Sequence, residues 1–564
     1  MLLFLVAGLL IPGAGPASAH ATVVSTSPGD GQVLVGAPSA VSVTFDEPVE
    51  LEFGALRVFD PSGARVDDGD PAHPAGRGDT VTVRVRGGLP QGTYTASWRV
   101  ISADSHPVAG AFTFSVGAAS ATSVNQGTLN AHGSAIVGAV YGVVRGVAYL
   151  AFAILIGAAT FLFVCWPAGA MVTRARRLLA WSWTMLTIAS CAVLALQGPY
   201  AAGFGLGSAL DFSVLHQTLQ TRLGTALAIR LGLLVLAAGA LAWTATRLAS
   251  ASAARRRVVG SGCGTVALGL AWTWAWADHA GTGSQVALAV PMDVLHLCTM
   301  AAWLGGLVLL AAVLLRPGTG ADRRDIARAV PRFSAIALGC VSALVVTGGY
   351  QAWRQIGSVP ALTGTVYGRL LLLKLLGFTL LIGLGYLART WNAEQFGSRR
   401  LAPVLIPGSG HLAPEALAQL RRSVAVETAV AAAVLALTAA LVNTEPGREA
   451  YTAPVSTTVA FDTHGPHGAG TIEVVVTPAR LGTDSFHLSV LDPAGGVEVI
   501  PELRAALRLP SHAIGPLPVP LTEAEPGHYT ATAPIPVAGS WQLVLTVRTS
   551  DIDETTVTVP FDIR

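Results

Sequence analysis

Lysine is almost absent: Lys374 is the only one in 564 residues, so nearly all positive charge is arginine. A GxxxxGK[ST] phosphate loop needs a lysine beside Ser or Thr, but Lys374 sits in Leu-Leu-Leu-Lys-Leu-Leu. The Asp-Lys-Thr-Gly loop of an aspartyl-phosphate pump is missing too, which excludes primary ATP-driven transport. Cysteine is scarce. Cys165, Cys191, Cys263, Cys298 and Cys340 all lie in apolar stretches, so the polar segments at both ends fold without disulfides. No CxxC pair exists, so metal chemistry falls to His, Asp and Met. Charge is also thin, at 12% of residues, about half the share of soluble domains. With 52% apolar residues and a mean hydropathy of +0.56, this excludes both a disordered chain and a single soluble globule.

What is present is a multi-domain membrane protein. Residues 1–19 read as a signal peptide, an apolar run followed by Ala17-Ser18-Ala19, and cleavage there makes His20 the first mature residue. Residues 20–117 alternate with period two over Ala40–Phe45, Ala55–Phe59, Thr80–Val85, Tyr94–Val100 and Ala111–Val116, punctuated by Gly, Pro and Asp. This predicts an all-β sandwich, with a linker at 118–133. Between 134 and 444 lie eight apolar spans, near 135–164, 178–198, 223–244, 258–277, 287–315, 333–351, 367–388 and 424–442. Residues 450–564 return to alternation (Thr471–Val476, Ser485–Leu491, Trp541–Thr546, Thr555–Ile563), which predicts a second exported β-sandwich.

Arginines follow spans one, three, five and seven, as in Arg174, Arg176, Arg177 and Arg255–Arg257, while Arg222 and Arg354 are exceptions in the alternate loops. The positive-inside rule then places both termini on the exterior side of the plasma (inner, cytoplasmic) membrane.

The N-terminal segment carries a metal-binding pattern. An N-terminal His20 offers its amine and ring nitrogen to one metal. His106 adds a second imidazole and Asp104 a carboxylate, an N₃O set suited to square-planar Cu(II). On one strand, Asp104 and His106 share a face about 6.5 Å apart. The run His20-Ala-Thr-Val-Val-Ser-Thr-Ser-Pro28-Gly-Asp-Gly31, then Val43-Thr-Phe-Asp-Glu-Pro-Val49, then Gly92–Gly110 with Asp104-Ser-His106-Pro107, resembles the CopC copper-binding family. The resemblance implies a cupredoxin-like sandwich that holds Cu(II) through the same residues, with Glu47 where some members place an additional acidic ligand. The segment has no methionine, unlike members with a Met-rich Cu(I) site.

The fifth span carries the second pattern, Pro291-Met292-Asp293-Val-Leu-His296-Leu-Cys298-Thr-Met300. Met292, His296 and Met300 fall at i, i+4 and i+8 on one helix face, flanked by Asp293. A buried ionisable group in lipid is costly and marks function. Asp278-His279 ends span four on the exterior side and is positioned to pass metal to this stripe. These spans, Trp303-Leu-Gly-Gly306, Tyr367–Gly377 and Arg145 resemble the CopD family, which implies an inner-membrane partner of CopC in copper uptake. Arg145, Arg230, Arg369, Lys374 and Glu427 are expected to pair or to line a polar cavity. In the C-terminal segment His464-Gly-Pro-His467 reads as a solvated turn, and 478–492 resembles YtkA-like exported domains.

The expectation is a copper-binding, non-enzymatic protein that captures Cu(II) outside and imports copper downhill or with an ion. Its partners are copper ion and membrane lipid, with a copper-dependent oxidase or an exported copper chaperone as candidates and no nucleic acid. Two alternatives stand beside it. One is a haem-binding cupric reductase using His279 and His296; the other is a copper chaperone or sensor supplying a membrane oxidase.

Overall fold

A computed structural model describes residues 21, 23–51, 55–103, 105, 107–120, 135–282, 285–317, 323–395, 414–451, 453–465, 468–480, 482–512, 514–535 and 539–563. The signal segment and most of the linker lie outside this set. The chain forms two compact units: residues 1–27, 37–112 and 120–448, and residues 28–36, 113–119 and 449–564. Each is described by itself.

The N-terminal strands are β1 (Val23–Ser27), β2 (Gln32–Leu34), β3 (Ala40–Phe45), β4 (Leu56–Phe59), β5 (Thr80–Arg84), β6 (Gly92–Ile101) and β7 (Pro107–Val116). They form two sheets, ordered β1-β3-β5 and β2-β7-β6-β4. Alternation in β3 turns Val41, Val43 and Phe45 inward, where Phe45 meets Trp98 edge-on at 5.1 Å. The sequence predicts five strands here and the structure has seven. β1 has no fully buried residue and β2 is three residues long, so neither carries a hydrophobic alternation to read.

One buried ion ties this sandwich together. Asp67 accepts from the Val58 N–H at 2.8 Å and the Gly69 N–H at 3.0 Å, and pairs with Arg65 at 2.7 Å. Burial pushes its carboxyl up, but the Arg65 and Val58 hydrogen bonds outweigh that and hold it below the usual carboxylate range. The stabilisation is therefore complete above about pH 4, the ordinary carboxylate value, and is lost as pH falls through the lowered one. Asp67→Ala leaves a buried N–H unsatisfied and should cost about 2–4 kcal/mol. Limited proteolysis of 20–117 across an acid series should show wild type opening only at low pH and the variant opening at every pH.

The membrane bundle comprises α1 (Ala135–Val164), α2 (Thr173–Ala202), α3 (Phe212–Gln220), α4 (Arg222–Arg247), α5 (Ala253–Ala277), α6 (Val286–Leu309), α7 (Arg323–Ile356), α8 (Val366–Gln395) and α9 (Pro414–Val442). All but α3 are long and apolar enough to cross a membrane, eight among the described residues. Several run past the apolar windows: α2 starts at Thr173 rather than 178 because its arginine-bearing turn stays helical beyond the hydrocarbon. The short α3 is an addition, capped by Asp211, whose carboxylate accepts from the Ser213 N–H at 2.9 Å. The core is built on α1 and α6. A Cβ on Gly157 would overlap the Ala301 carbonyl, and one on Gly305 the Ala153 carbonyl, so these glycines let two backbones touch.

The C-terminal unit holds β8 (Val455–Asp462), β9 (Ala469–Thr477), β10 (Gly482–Leu491), β11 (Glu502–Leu509), β12 (Ile514–Val519), β13 (Thr522–Glu525), β14 (His528–Ile535), β15 (Gly539–Arg548) and β16 (Glu554–Ile563). Its sheets are ordered β13-β14-β10-β9-β8 and β12-β11-β15-β16, around fully buried Trp541, Phe486, Leu543 and Val547. Four strands were legible in sequence. β13 (Thr-Glu-Ala-Glu) is exposed throughout and offers no pattern.

Candidate functional site

His20, Asp104 and His106 lie outside the described residues, as does His467. Their described neighbours fix the setting. Ser105, the residue between Asp104 and His106 in sequence, holds a left-handed φ of 71° that favours glycine. Before it, the Ala103 N–H donates to Glu47 Oε1 at 3.2 Å and the Ala103 carbonyl accepts from Arg222 at 3.3 Å. Glu47 thus braces the turn.

The Ser105 hydroxyl donates to the Ala277 carbonyl at 2.8 Å, joining the N-terminal sandwich to the end of α5. The last carbonyls of any helix lack intrahelical donors, and this end recruits them from elsewhere. Arg222 donates to the Trp276 and Gly281 carbonyls, the latter at 2.8 Å, and lies 5.2 Å from the centre of the Trp276 ring. Arg354 donates to the His279 carbonyl at 2.7 Å and to the Thr282 carbonyl. Arg145 closes the set by pairing with Asp278 at 2.9 Å while reaching Asn443 at 3.3 Å. Three guanidiniums therefore hold one turn. A Cβ on Gly281 would overlap both the Arg222 guanidinium and the Trp276 carbonyl, which makes glycine obligatory there.

The Arg222 backbone also donates to Glu50 at 2.8 Å. Burial pushes the Glu50 carboxyl above its usual range, against the lowering effect of the Arg222 N–H and charge. Arg222, the first residue of α4, and Arg354, in the last turn of α7, break the charge pattern and act here as structural donors. The other membrane ions differ: Arg230 donates to Thr273 at 2.9 Å and stacks 3.5 Å over Trp274, and Glu427 accepts from Ser423 at 3.2 Å.

Beneath this turn a cavity of about 520 Å³ opens among α6, α7, α8 and α9. Asp278, His279, Asp293, His296, Met300 and Lys374 line it, against an otherwise mostly apolar wall. Met292 is not among the lining residues, so the sequence stripe enters the cavity with three of its four members. Met300 also packs on the hydrophobic core.

Two α7 residues complete the stripe. Gln351 donates to Asp293 at 2.7 Å. Thr347 Oγ1 lies 2.9 Å from His296 Nδ1 and donates its single proton to the Ala343 carbonyl at 2.8 Å. Thr347 must then accept from Nδ1–H, so when the imidazole is neutral Nε2 carries the lone pair, the form that binds metal. Gly348 lies beside the ring, where a Cβ would come into contact with it at 3.4 Å.

Sequence reasoning passed over Thr347 and Gln351. Their signal was two polar residues four apart inside an apolar span, one helical turn, matching Asp293 and His296 three apart on α6. Among the described residues no three His, Cys, Asp or Glu side chains converge closely enough for a closed metal site. The lining groups are strung along the cavity instead. In the C-terminal unit, the exposed His464 donates its backbone N–H to Asp462 at 2.7 Å.

Family models place this geometry. The CopC domain matches 23–117, the copper resistance protein D-like N-terminal domain 136–287, copper resistance protein D 327–441, and FixH 470–557. FixH is the model found at the C-terminal end, where the sequence was compared with YtkA-like domains. The copper transport protein CutJ of Bacillus subtilis is 29% identical over 487 residues, 85% of this chain and 83% of CutJ. Copper resistance protein C of Pseudomonas syringae pv. tomato is 30% identical over 115 residues, 20% of this chain and 89% of its own length. The crystal structure of CopC from Methylosinus trichosporium OB3b, 27% identical, covers 17% of this chain and 93% of that one with a TM-score of 0.16. Neither the cupric reductase nor the chaperone or sensor alternative finds support among these relatives. The chain is a multi-pass membrane protein of the CopC–CopD copper resistance family, with a FixH-type domain at its C-terminal end.

Proposed function

We propose that the N-terminal sandwich captures Cu(II) outside the membrane through His20, Asp104 and His106, and that the bundle carries copper inward past Asp278, His279, Asp293, His296 and Met300. Both termini are then exterior. Residues 20–117 act as the capture domain, 134–444 as the path and 450–564 as a second exported domain. The observation that supports this reading most is the Ser105–Ala277 hydrogen bond, because it sets the neighbours of Asp104 and His106 against the neighbours of Asp278 and His279. A second support is the cavity under that turn, whose His296 presents a bare Nε2. Holding donor and acceptor on one chain raises their effective concentration to about millimolar, so transfer does not wait on diffusion.

Radiolabelled copper uptake into proteoliposomes tests direction and route together. Vesicles whose N-terminal domain faces the bath should accumulate copper from it. Ser105→Pro, which forbids the left-handed φ and so disturbs the docked turn, should slow accumulation several-fold at equal protein abundance. Export of preloaded copper with no uptake would reverse the assignment.

A further inference from the structure

A second groove, about 660 Å³, lies at the opposite, arginine-rich ends of α1, α4 and α5 and is unrelated to the copper path. Two features set it apart. Arg256, Arg257 and Arg332 all line it, and among the described residues no carboxylate or other hydrogen-bond acceptor is paired with any of the three side chains. Gly260 and Gly264, one helical turn apart on α5, also line it, and Gly260 faces Phe163 on α1. Each glycine in a helix interior costs about 1 kcal/mol relative to alanine. At Gly157 that cost is offset by close backbone packing, but a Cβ on Gly264 would meet nothing within 4 Å. Gly264 is exposed, and among the described residues no side chain covers it.

We propose that this groove binds one anionic phospholipid, its phosphate against Arg256, Arg257 and Arg332 and an acyl chain over Gly260 and Gly264 beside Phe163. The charge selects the headgroup: three cations without a counter-ion among the described residues, next to an apolar slot at the membrane interface, match a negative phosphate joined to hydrocarbon. A zwitterionic lipid satisfies the slot but leaves net positive charge uncompensated. Free phosphate satisfies the arginines but leaves the slot empty.

Native mass spectrometry of the full chain tests this, with dioleoyl phosphatidylglycerol compared against dioleoyl phosphatidylcholine and inorganic phosphate. Wild type should retain one phosphatidylglycerol in preference to phosphatidylcholine. Each basic side chain near an anionic headgroup contributes about a factor of five, so Arg256→Gln with Arg257→Gln should weaken phosphatidylglycerol retention about thirty-fold and leave phosphatidylcholine unchanged. Gly264→Leu projects a side chain into the slot from a position where a Cβ meets nothing within 4 Å, keeps every arginine, and should also expel the lipid. Equal retention of both lipids by wild type would overturn the proposal, as would unchanged retention in the arginine variant. Loss in the arginine variant alone, with inorganic phosphate displacing the lipid and Gly264→Leu behaving as wild type, would reduce the site to a phosphate contact and also overturn it.

Discussion

Placing one alanine ahead of His20 in the mature chain should weaken Cu(II) binding by more than about a hundred-fold. The proposed site takes two of its three nitrogens from one residue: the free amine and the ring nitrogen of His20 close a chelate through their own backbone. An added residue turns that amine into an amide, a far poorer ligand at neutral pH, and breaks the chelate in one step. Removing merely a hydrogen-bond partner of a metal ligand costs about 10–100-fold, so losing a ligand and its chelate ring together should exceed that range. Competition titration of the full chain measures the loss, and the wild-type EPR spectrum should be tetragonal and nitrogen-rich. Equal affinity in the extended variant would leave the site without its N-terminal amine.

His296→Ala should abolish copper accumulation in cells while leaving Cu(II) binding by the N-terminal domain intact. The ring is held by Thr347 with Nε2 left for the cavity, so alanine removes the one imidazole that α6 contributes there. Thr347→Val keeps the shape of the residue but deletes the acceptor that fixes the ring. It is a positioning change, expected to lower uptake by about 10–100-fold rather than end it. Met300→Leu nearly conserves volume and should cost less than about 1.5 kcal/mol of stability, so a large uptake defect there reports a thioether contact with copper. Met292→Leu should be silent, because Met292 is not among the residues lining the cavity. The measurement is copper accumulation at equal membrane abundance across the four variants. Wild-type rates in His296→Ala and Met300→Leu together would make the stripe ordinary core packing.

Much of this arrangement was legible in the sequence because lipid is an unforgiving solvent. Eight apolar runs sufficed for eight spanning helices, since each backbone must satisfy its own hydrogen bonds there. The i, i+4, i+8 spacing on α6 likewise identified a shared face. It did not say which part of that face meets the cavity, because α7, α8 and α9 decide this, and they leave Met292 out. Thr347 and Gln351 were overlooked for a related reason: a polar side chain in an apolar span has meaning only once its partner across the helix interface is known. Arg222 and Arg354, exceptions to the charge pattern, are explained by their contacts. Charge counting treats every arginine as solvated, whereas these two spend their donors on the α5 terminus and the turn after it. The strands that escaped notice, such as β2 and β13, sit where little apolar surface is buried.

The turn after α5 is gripped almost wholly by its main chain. Ser105, Arg222 and Arg354 all bond to carbonyl oxygens, those of Ala277, Trp276, Gly281, His279 and Thr282, while Arg145 reads the Asp278 carboxylate and Arg222 also lies against the Trp276 ring. A carbonyl stays in place whatever side chain its residue carries. The recognition is therefore lopsided: the donors hold most of the specification, while residues such as Ala277 and Thr282 are held by them through their carbonyls. Side chains at His279 and Thr282 can diverge without loosening these carbonyl bonds, whereas a change at Asp278 releases Arg145 and one at Gly281 strikes Arg222 and Trp276. The scaffold thus leaves part of the turn free to vary and fixes the rest.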